Sequence, residues 1–110
     1  MRADWAGADD RLQLAINPDA ADVHNNLAVA FGARREYQRA VYHLNRALVI
    51  REGYPEAHNN LAIAMGALGR FDEDLRHATR ALELQPDYAD ARDNLRVLRH
   101  AQQQPAPRIR

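Results

Sequence analysis

Histidine has the widest chemical range of any residue in this sequence, because a neutral imidazole can bind a metal ion or transfer a proton near neutral pH. Two pairs of histidines are each separated by 34 residues: His24 with His58, and His43 with His77. Positions one repeat apart would lie on the order of 10 Å from each other, whereas the ligands of one zinc ion each lie roughly 2 Å from it. We therefore predict no metal site, and keep a metal-dependent enzyme using His24 and His58 as an alternative.

Residue types that are absent exclude further chemistry. The 110-residue chain contains no Cys, no Ser and no Lys. This composition excludes a thiolate nucleophile, a serine hydrolase, Schiff-base chemistry and a phosphate-binding lysine. No motif pairs a histidine with an acid in a way that supports acid–base catalysis. We therefore expect a non-enzymatic protein with no catalytic residue and no cofactor.

The charge balance and the hydropathy pattern limit the partners. Fifteen basic residues balance fifteen acidic ones, so no net field attracts the chain to nucleic acid or to an anionic membrane. No apolar run approaches the roughly 20 residues that a membrane-spanning helix needs. The first residues contain acids and no apolar signal core. We expect a cytoplasmic protein without nucleic-acid or membrane partners.

One short string organises the chain. His-Asn-Asn-Leu-Ala occupies residues 24–28 and returns at residues 58–62, which is 34 residues later. A partial third copy, Arg-Asp-Asn-Leu-Arg, occupies residues 92–96. Recurrence at a fixed period of this length is typical of stacked helical repeats, in which each unit buries its apolar face against its neighbours.

Apolar periodicity and Pro- or Gly-containing breaks divide the chain into five parts. Residues 1–19 are predicted to form an N-terminal helix that corresponds to the second half of an incomplete repeat. Residues 20–54 and 55–87 are predicted to form two complete repeats. Residues 88–103 are predicted to form a C-terminal capping helix, and residues 104–110 a disordered tail.

Several spaced residues together resemble the tetratricopeptide repeat (TPR) family. They are the small residue after the leucine of each string, the turn at residues 69–71, the Arg-Ala-Leu-Glu-Leu run at residues 80–84, and Pro86. The resemblance covers about residues 19–103. It implies an all-α protein: an α-solenoid of helix-turn-helix repeats with about five helices in a right-handed superhelical stack.

Three departures from the family pattern have structural consequences. Arg35 replaces the turn glycine seen at Gly69. Asp74 occupies the small, buried position of Ala40, and we expect local looseness there because an unpaired buried carboxylate is costly. Arginines in the third copy indicate that no following helix packs on it.

The resemblance also implies a concave groove, lined by the first helix of each pair, that binds a protein or peptide. The residues predicted to line this peptide-binding groove are Asp22, Asn25, Asn26, Val29, Glu56, Asn59, Asn60, Ile63, Asp90, Asp93 and Asn94.

Asn26, Asn60 and Asn94 form a row with one amide per repeat. A side-chain amide has both donors and an acceptor, so it can pair with the backbone of an extended peptide without reading its sequence. The alternative is that these amides bridge neighbouring helices, since most side-chain hydrogen bonds stay within the protein or go to water. Both interpretations stay open at this point.

Acidic residues follow one edge of the predicted groove: Asp22, Glu56, Asp90 and Asp93. They predict a preference for a basic segment, although acids in a first helical turn also complement the helix dipole. The groove lacks the Lys and Arg set with which some members of the family hold the carboxylate ends of chaperones. Binding of such an acidic tail is therefore not expected.

Self-association is the remaining alternative. Trp5, Leu12 and Ile16 would form an apolar stripe on the N-terminal helix. If this stripe does not pack on the next repeat, it is a surface for a second copy of the chain. The chain would then be a structural module that assembles through its N-terminal helix or the ends of its stack.

Overall fold

The computed structural model describes residues 20–103, with side chains described to residue 100, and it contains helices and no strands over this range. The predictions for residues 1–19 and 104–110 lie outside the described residues. The five helices of the described part are α1 (Ala20–Ala33), α2 (Tyr37–Ile50), α3 (Pro55–Ala67), α4 (Phe71–Leu84) and α5 (Ala89–Gln103). The predicted all-α solenoid is confirmed.

The turns within the two helix pairs share a left-handed residue. Gly69 has φ of 81° between α3 and α4, and Arg35, at the equivalent position between α1 and α2, has φ of 62°. Glycine adopts this conformation without a steric penalty, whereas Arg carries a Cβ that opposes it. The sequence departure at Arg35 therefore places backbone strain in the first turn.

Packing follows the order of the chain. α1 packs along α2, α3 packs along α4, and α2 and α3 join the two pairs. α5 packs against α4 and also contacts α3. The resulting body measures 53 × 35 × 19 Å, an elongated and flat shape. A stack in which each helix contacts its neighbours has this form.

The core contains mainly small side chains. Ala28, Ala40 and Ala47 are buried around Leu44 and Leu61 in the larger of two clusters. A second cluster consists of Ala62, Ala78 and Leu95 and includes the contribution of α5. Alanines at helix contacts let the backbones approach closely, so a modest amount of apolar surface is enough to fix the stack.

Asp74 is buried in the second helix pair, as predicted, but it is not unpaired. It is 3% exposed, and its Oδ1 accepts a hydrogen bond of 3.2 Å from Nδ2 of Asn94. Burial raises the pKa of the Asp74 carboxyl, while the hydrogen bond from Asn94 opposes this shift. The absent side chain of Gly66 provides the space, because a Cβ there would clash with Oδ2 of Asp74.

Candidate functional site

A row of exposed aliphatic side chains follows the first helices of the stack. Val29, Ile63 and Val97 are 53%, 50% and 66% exposed. Each lies three residues after Asn26, Asn60 or Asn94, and residues at this spacing share one helix face. An apolar row and an amide row therefore run side by side across α1, α3 and α5.

A cleft of about 230 Å³ opens between α1 and α3 at this surface. Val29, Asn60 and Ile63 lie at its edge, and Gly32 widens it because it has no side chain. Tyr37 and Leu44 of α2 contribute to its lining. The cleft has space for an apolar side chain, and the amide of Asn60 lies beside it. A peptide segment needs both an apolar pocket and a polar group that fixes its orientation.

Two of the three row asparagines make hydrogen bonds within the protein. Nδ2 of Asn60 donates to Oδ1 of Asn25 at 3.0 Å, which joins α3 to α1. Nδ2 of Asn94 donates to Asp74 and joins α5 to α4. Asn26 is exposed. The bridging role is thus present at two positions, and because an amide also has a carbonyl oxygen, each bridging residue keeps an acceptor for a further partner.

Asn25 and Asn59 lie deeper than the sequence suggests. They are 8% and 3% exposed, so they belong to the floor of the surface rather than to its rim. Oδ1 of Asn59 is buried and has no hydrogen-bond donor among the described residues. A buried acceptor of this kind is unusual in a folded protein. Burial also raises the pKa of nearby Tyr88, against the effect of a hydrogen bond with Asn59.

Asp22, one of the acids of the predicted edge, makes hydrogen bonds to another segment of the protein. Its Oδ1 accepts hydrogen bonds from the Tyr54 hydroxyl at 2.6 Å and from Arg51 Nη1 at 3.3 Å. The hydrogen bond from Tyr54, and to a smaller extent the interaction with Arg51, lower the pKa of Asp22. Burial and the hydrogen bond to Asp22 raise the pKa of Tyr54. Asp22 therefore joins α1 to the segment before α3.

The other acids of the edge face water. Glu56, Asp90 and Asp93 are exposed. Asp93 forms an ion pair with Arg96 at 3.6 Å, in which both side chains are more than half exposed. Glu56 and Asp90 thus supply most of the negative charge that a ligand in the groove would meet.

The histidines pair within each helix pair, an arrangement that comparison of repeat mates did not predict. Nδ1 of His24 lies 3.0 Å from Nδ1 of His43, and the corresponding atoms of His58 and His77 lie 3.3 Å apart. The ring centres are 5.2 Å and 5.5 Å apart. In each pair the two nitrogens therefore lie between the ring centres and face each other.

The second histidine pair has a defined proton arrangement. His58 Nε2 lies 3.1 Å from the carbonyl oxygen of Glu52. Because a carbonyl only accepts, Nε2 must donate, and in neutral His58 Nδ1 is then the acceptor for the Nδ1 proton of His77. Burial lowers the pKa of His77. The charges of His58 and Arg76 lower it as well, whereas the charge of Glu73 raises it.

The described residues contain neither a cluster suited to a metal ion nor a helix suited to spanning a membrane. Within residues 20–100, no group of three or more His, Cys, Asp or Glu side chains could hold a metal ion. The histidine pairs supply two nitrogens each, and the absence of a metal site remains a prediction. None of the five described helices is long and apolar enough to cross a membrane.

Solved structures with the same fold define the class of protein. The Sgt2 TPR domain from Aspergillus fumigatus is 28% identical with a TM-score of 0.71, over 74% of this chain and 54% of that one. The first TPR of Spaghetti (RPAP3), solved with the HSP90 peptide SRMEEVD, is 20% identical with a TM-score of 0.75, over 92% and 86%. The Arabidopsis OM64 TPR domain is 23% identical with a TM-score of 0.72, over 89% and 87%.

The chain is a tetratricopeptide-repeat protein, as its residues predicted. It spans about half the length of the Sgt2 domain that it matches. Residues 13–95 match the family model described as the Est1 DNA/RNA binding domain, and the chain belongs to that family. No curated protein matches the sequence.

Proposed function

We propose that this protein is a non-enzymatic interaction module that binds an extended segment of another protein in the groove formed by α1, α3 and α5. The exposed apolar row of Val29, Ile63 and Val97 carries this proposal, because these residues lie beside the amide row and two of them, Val29 and Ile63, border an open cleft. Exposed aliphatic residues in register on consecutive repeats are a surface that favours an apolar partner. The TPR fold of Spaghetti (RPAP3), solved with the HSP90 peptide SRMEEVD, supports it.

The amide row would bind the backbone of the segment. Repeats spaced on the order of 10 Å apart cover about three residues of an extended chain. Asn26 has its whole amide available, and Asn60 and Asn94 each have a carbonyl oxygen that can accept a peptide N–H.

The charge of the groove favours a basic segment. Glu56 and Asp90 are exposed at its edge, and the row residues at the same surface are apolar or uncharged. An acidic segment such as SRMEEVD, the peptide in the Spaghetti structure, would meet like charge here. We propose Arg- or Lys-containing segments with an aliphatic residue that enters the cleft.

Nucleic acid is the second candidate ligand, because the matching family model is described as a DNA/RNA binding domain. Its phosphates would contact the arginines of α5 rather than the acidic groove: Arg92, Arg96 and Arg99 are exposed along that helix. Binding of this kind would weaken steeply as the salt concentration rises. The zero net charge of the chain disfavours it.

A displayed library of random peptides tests the proposal. Selected peptides are measured by fluorescence polarisation against the wild type, the Asn26→Ala/Asn60→Ala/Asn94→Ala variant and an Asn45→Ala control, in which an exposed asparagine of α2 is changed. Each lost hydrogen bond contributes about 0.5–1.5 kcal/mol, so we expect the triple variant to bind at least about tenfold more weakly and the control to bind like the wild type.

Two results would refute this function. One is a set of selected peptides that binds the triple variant and the wild type equally well. The other is the absence of any enriched peptide together with tight, salt-sensitive binding of single-stranded DNA or RNA, which would favour the second candidate. The peptide SRMEEVD serves as the acidic control, and we expect it not to bind.

A further inference from the structure

α5 corresponds by its position to a first helix of a pair, and the surface where a second helix would pack is an open cleft of about 460 Å³. Leu82 and Leu95 form its apolar floor, and basic side chains surround them. Arg92, Arg96 and Arg99 are exposed there. Within residues 20–100, neither Arg92 nor Arg99 makes an ion pair.

The 34-residue register identifies which residue of a second helix would contact Arg92. This residue occupies the position of His24 and His58, whose partners are His43 and His77. The residue of this chain that lies 34 positions before His43 is Asp9. Arg92 thus replaces the first histidine of the pair, and the acid Asp9 occupies the position of the second histidine.

Arg99 points to the same residue. It occupies the position of Phe31, whose ring lies 5.4 Å from the ring of His43. The partner position of Arg99 is therefore again that of Asp9. Both arginines would contact one carboxylate if the register of the first helix pair were repeated.

Arg96 has an equivalent partner. It occupies the position of Ala28 and Ala62, which share core clusters with Leu44 and Ala78 respectively. The residue 34 positions before Leu44 is Asp10. Each basic departure on this surface of α5 therefore corresponds, in the 34-residue register, to one of two acids in the sequence, Asp9 or Asp10.

We propose that residues 3–16 of a second copy of this chain dock on this surface of α5, with Asp9 between Arg92 and Arg99 and Asp10 at Arg96. The docked segment completes the third helix pair. Its Leu14 occupies the position of Leu48 and Leu82, both of which pack against the core clusters. The contact joins different surfaces of the two copies, so it extends the stack head to tail.

This inference is independent of the peptide-binding function, because the α5 surface does not include the Asn26, Asn60 and Asn94 row. The Asn26→Ala variant, which changes an exposed row residue and keeps the Asn94–Asp74 hydrogen bond that joins α5 to α4, should self-associate as the wild type does. The association depends on partly exposed charge pairs, so it should weaken as sodium chloride is added.

Charge reversal tests the docking with the full chain. The first variant is Asp9→Arg/Asp10→Arg, and the second is Arg92→Asp/Arg96→Asp/Arg99→Asp. Each variant alone places like charges at the contact, and an equimolar mixture restores opposite charges at every contact. Controls are Arg76→Asp and Asp87→Arg, which reverse exposed charges elsewhere, and circular dichroism verifies that every variant folds.

Sedimentation velocity over a range of protein concentrations gives the result. We expect the wild type and both controls to self-associate, each reversed variant to associate more than about tenfold more weakly, and the mixture to regain the wild-type distribution. A wild type that stays monomeric at its highest soluble concentration overturns the proposal. So does a mixture that remains monomeric while the wild type associates.

Discussion

Gly66 and Gly32 occupy equivalent positions 34 residues apart in α3 and α1, but their surroundings differ. A Cβ at Gly32 would have nothing within 4 Å, whereas a Cβ at Gly66 would clash with Oδ2 of Asp74 and lie 3.3 Å from its Cγ. The residue that faces Gly32 from the position of Asp74 is Ala40. The same substitution should therefore have opposite effects in the two helix pairs.

Gly32→Ala should raise the free energy of unfolding by up to about 1 kcal/mol, which is the difference in helix propensity. Gly66→Ala gains the same propensity but overfills a closed site, which costs about 1–3 kcal/mol. Asp74 cannot move away cheaply because it is 3% exposed and bonded to Asn94. The difference of these two values is a net loss of up to about 2 kcal/mol.

Asp74→Ala in the Gly66→Ala background should reverse the loss, since the obstructing carboxylate and its burial cost are both removed. Urea denaturation at pH 7 followed by circular dichroism measures all four combinations as a double-mutant cycle. We expect a coupling free energy of at least about 1 kcal/mol. If Gly66→Ala stabilises the protein as much as Gly32→Ala, or if the two sites are additive, the argument about Asp74 is wrong.

Two further predictions concern the turn and the second histidine pair. Because Arg35 has φ of 62°, Arg35→Gly should stabilise the protein by about 0.5–1 kcal/mol. The reverse change, Gly69→Arg, should destabilise it. Equal thermal unfolding midpoints for both variants and the wild type would show that the backbone at Arg35 is not strained. Folding lowers the pKa of His77 from its usual value of 6.5. As the pH falls, His77 therefore binds a proton in the unfolded chain before it does so in the folded protein. The free energy of unfolding should decrease below pH 6.5. His77→Leu should flatten this decrease in urea titrations between pH 7 and about pH 5, within the usual histidine range; an unchanged slope would exclude this cause.

The repeat period was sufficient to predict the all-α stack, because each short unit has the same local signals for helix and turn. The string at residues 24–28, its copy at residues 58–62 and the turn at Gly69 established the register. The left-handed backbone at Arg35 follows from that register, since a residue in the position of Gly69 must make the same turn.

Contacts between helices could be predicted less well. The sequence comparison paired His24 with His58, because they are equivalent, whereas the structure pairs His24 with His43 across two antiparallel helices. The partner of Asp74 is Asn94, one repeat further along the chain. Which side chains meet between helices depends on helix rotation and on small neighbours such as Gly66, and neither is visible in a linear period.

The candidate groove illustrates both limits. That Asn26, Asn60 and Asn94 contact a ligand remains a proposal. The residue type alone could not decide between binding a ligand and bridging helices, because two of these amides make hydrogen bonds within the protein. Asn60 reaches Asn25, and Asn94 reaches Asp74, so the amides that would bind a peptide also connect the repeats. Asn59 proved to be buried, and Tyr88, which precedes α5, lies within hydrogen-bonding distance of it.

The most direct test of the central claim is a methyl NMR titration with a peptide from the displayed library. The methyl groups of Val29, Ile63 and Val97 report on the groove, and Val49 is the control, because it is on α2 and is 66% exposed, the same as Val97. Binding in the groove predicts large shift changes at the three row residues with an unchanged Val49 signal. Changes centred on Val49, with the row signals unmoved, would contradict the account.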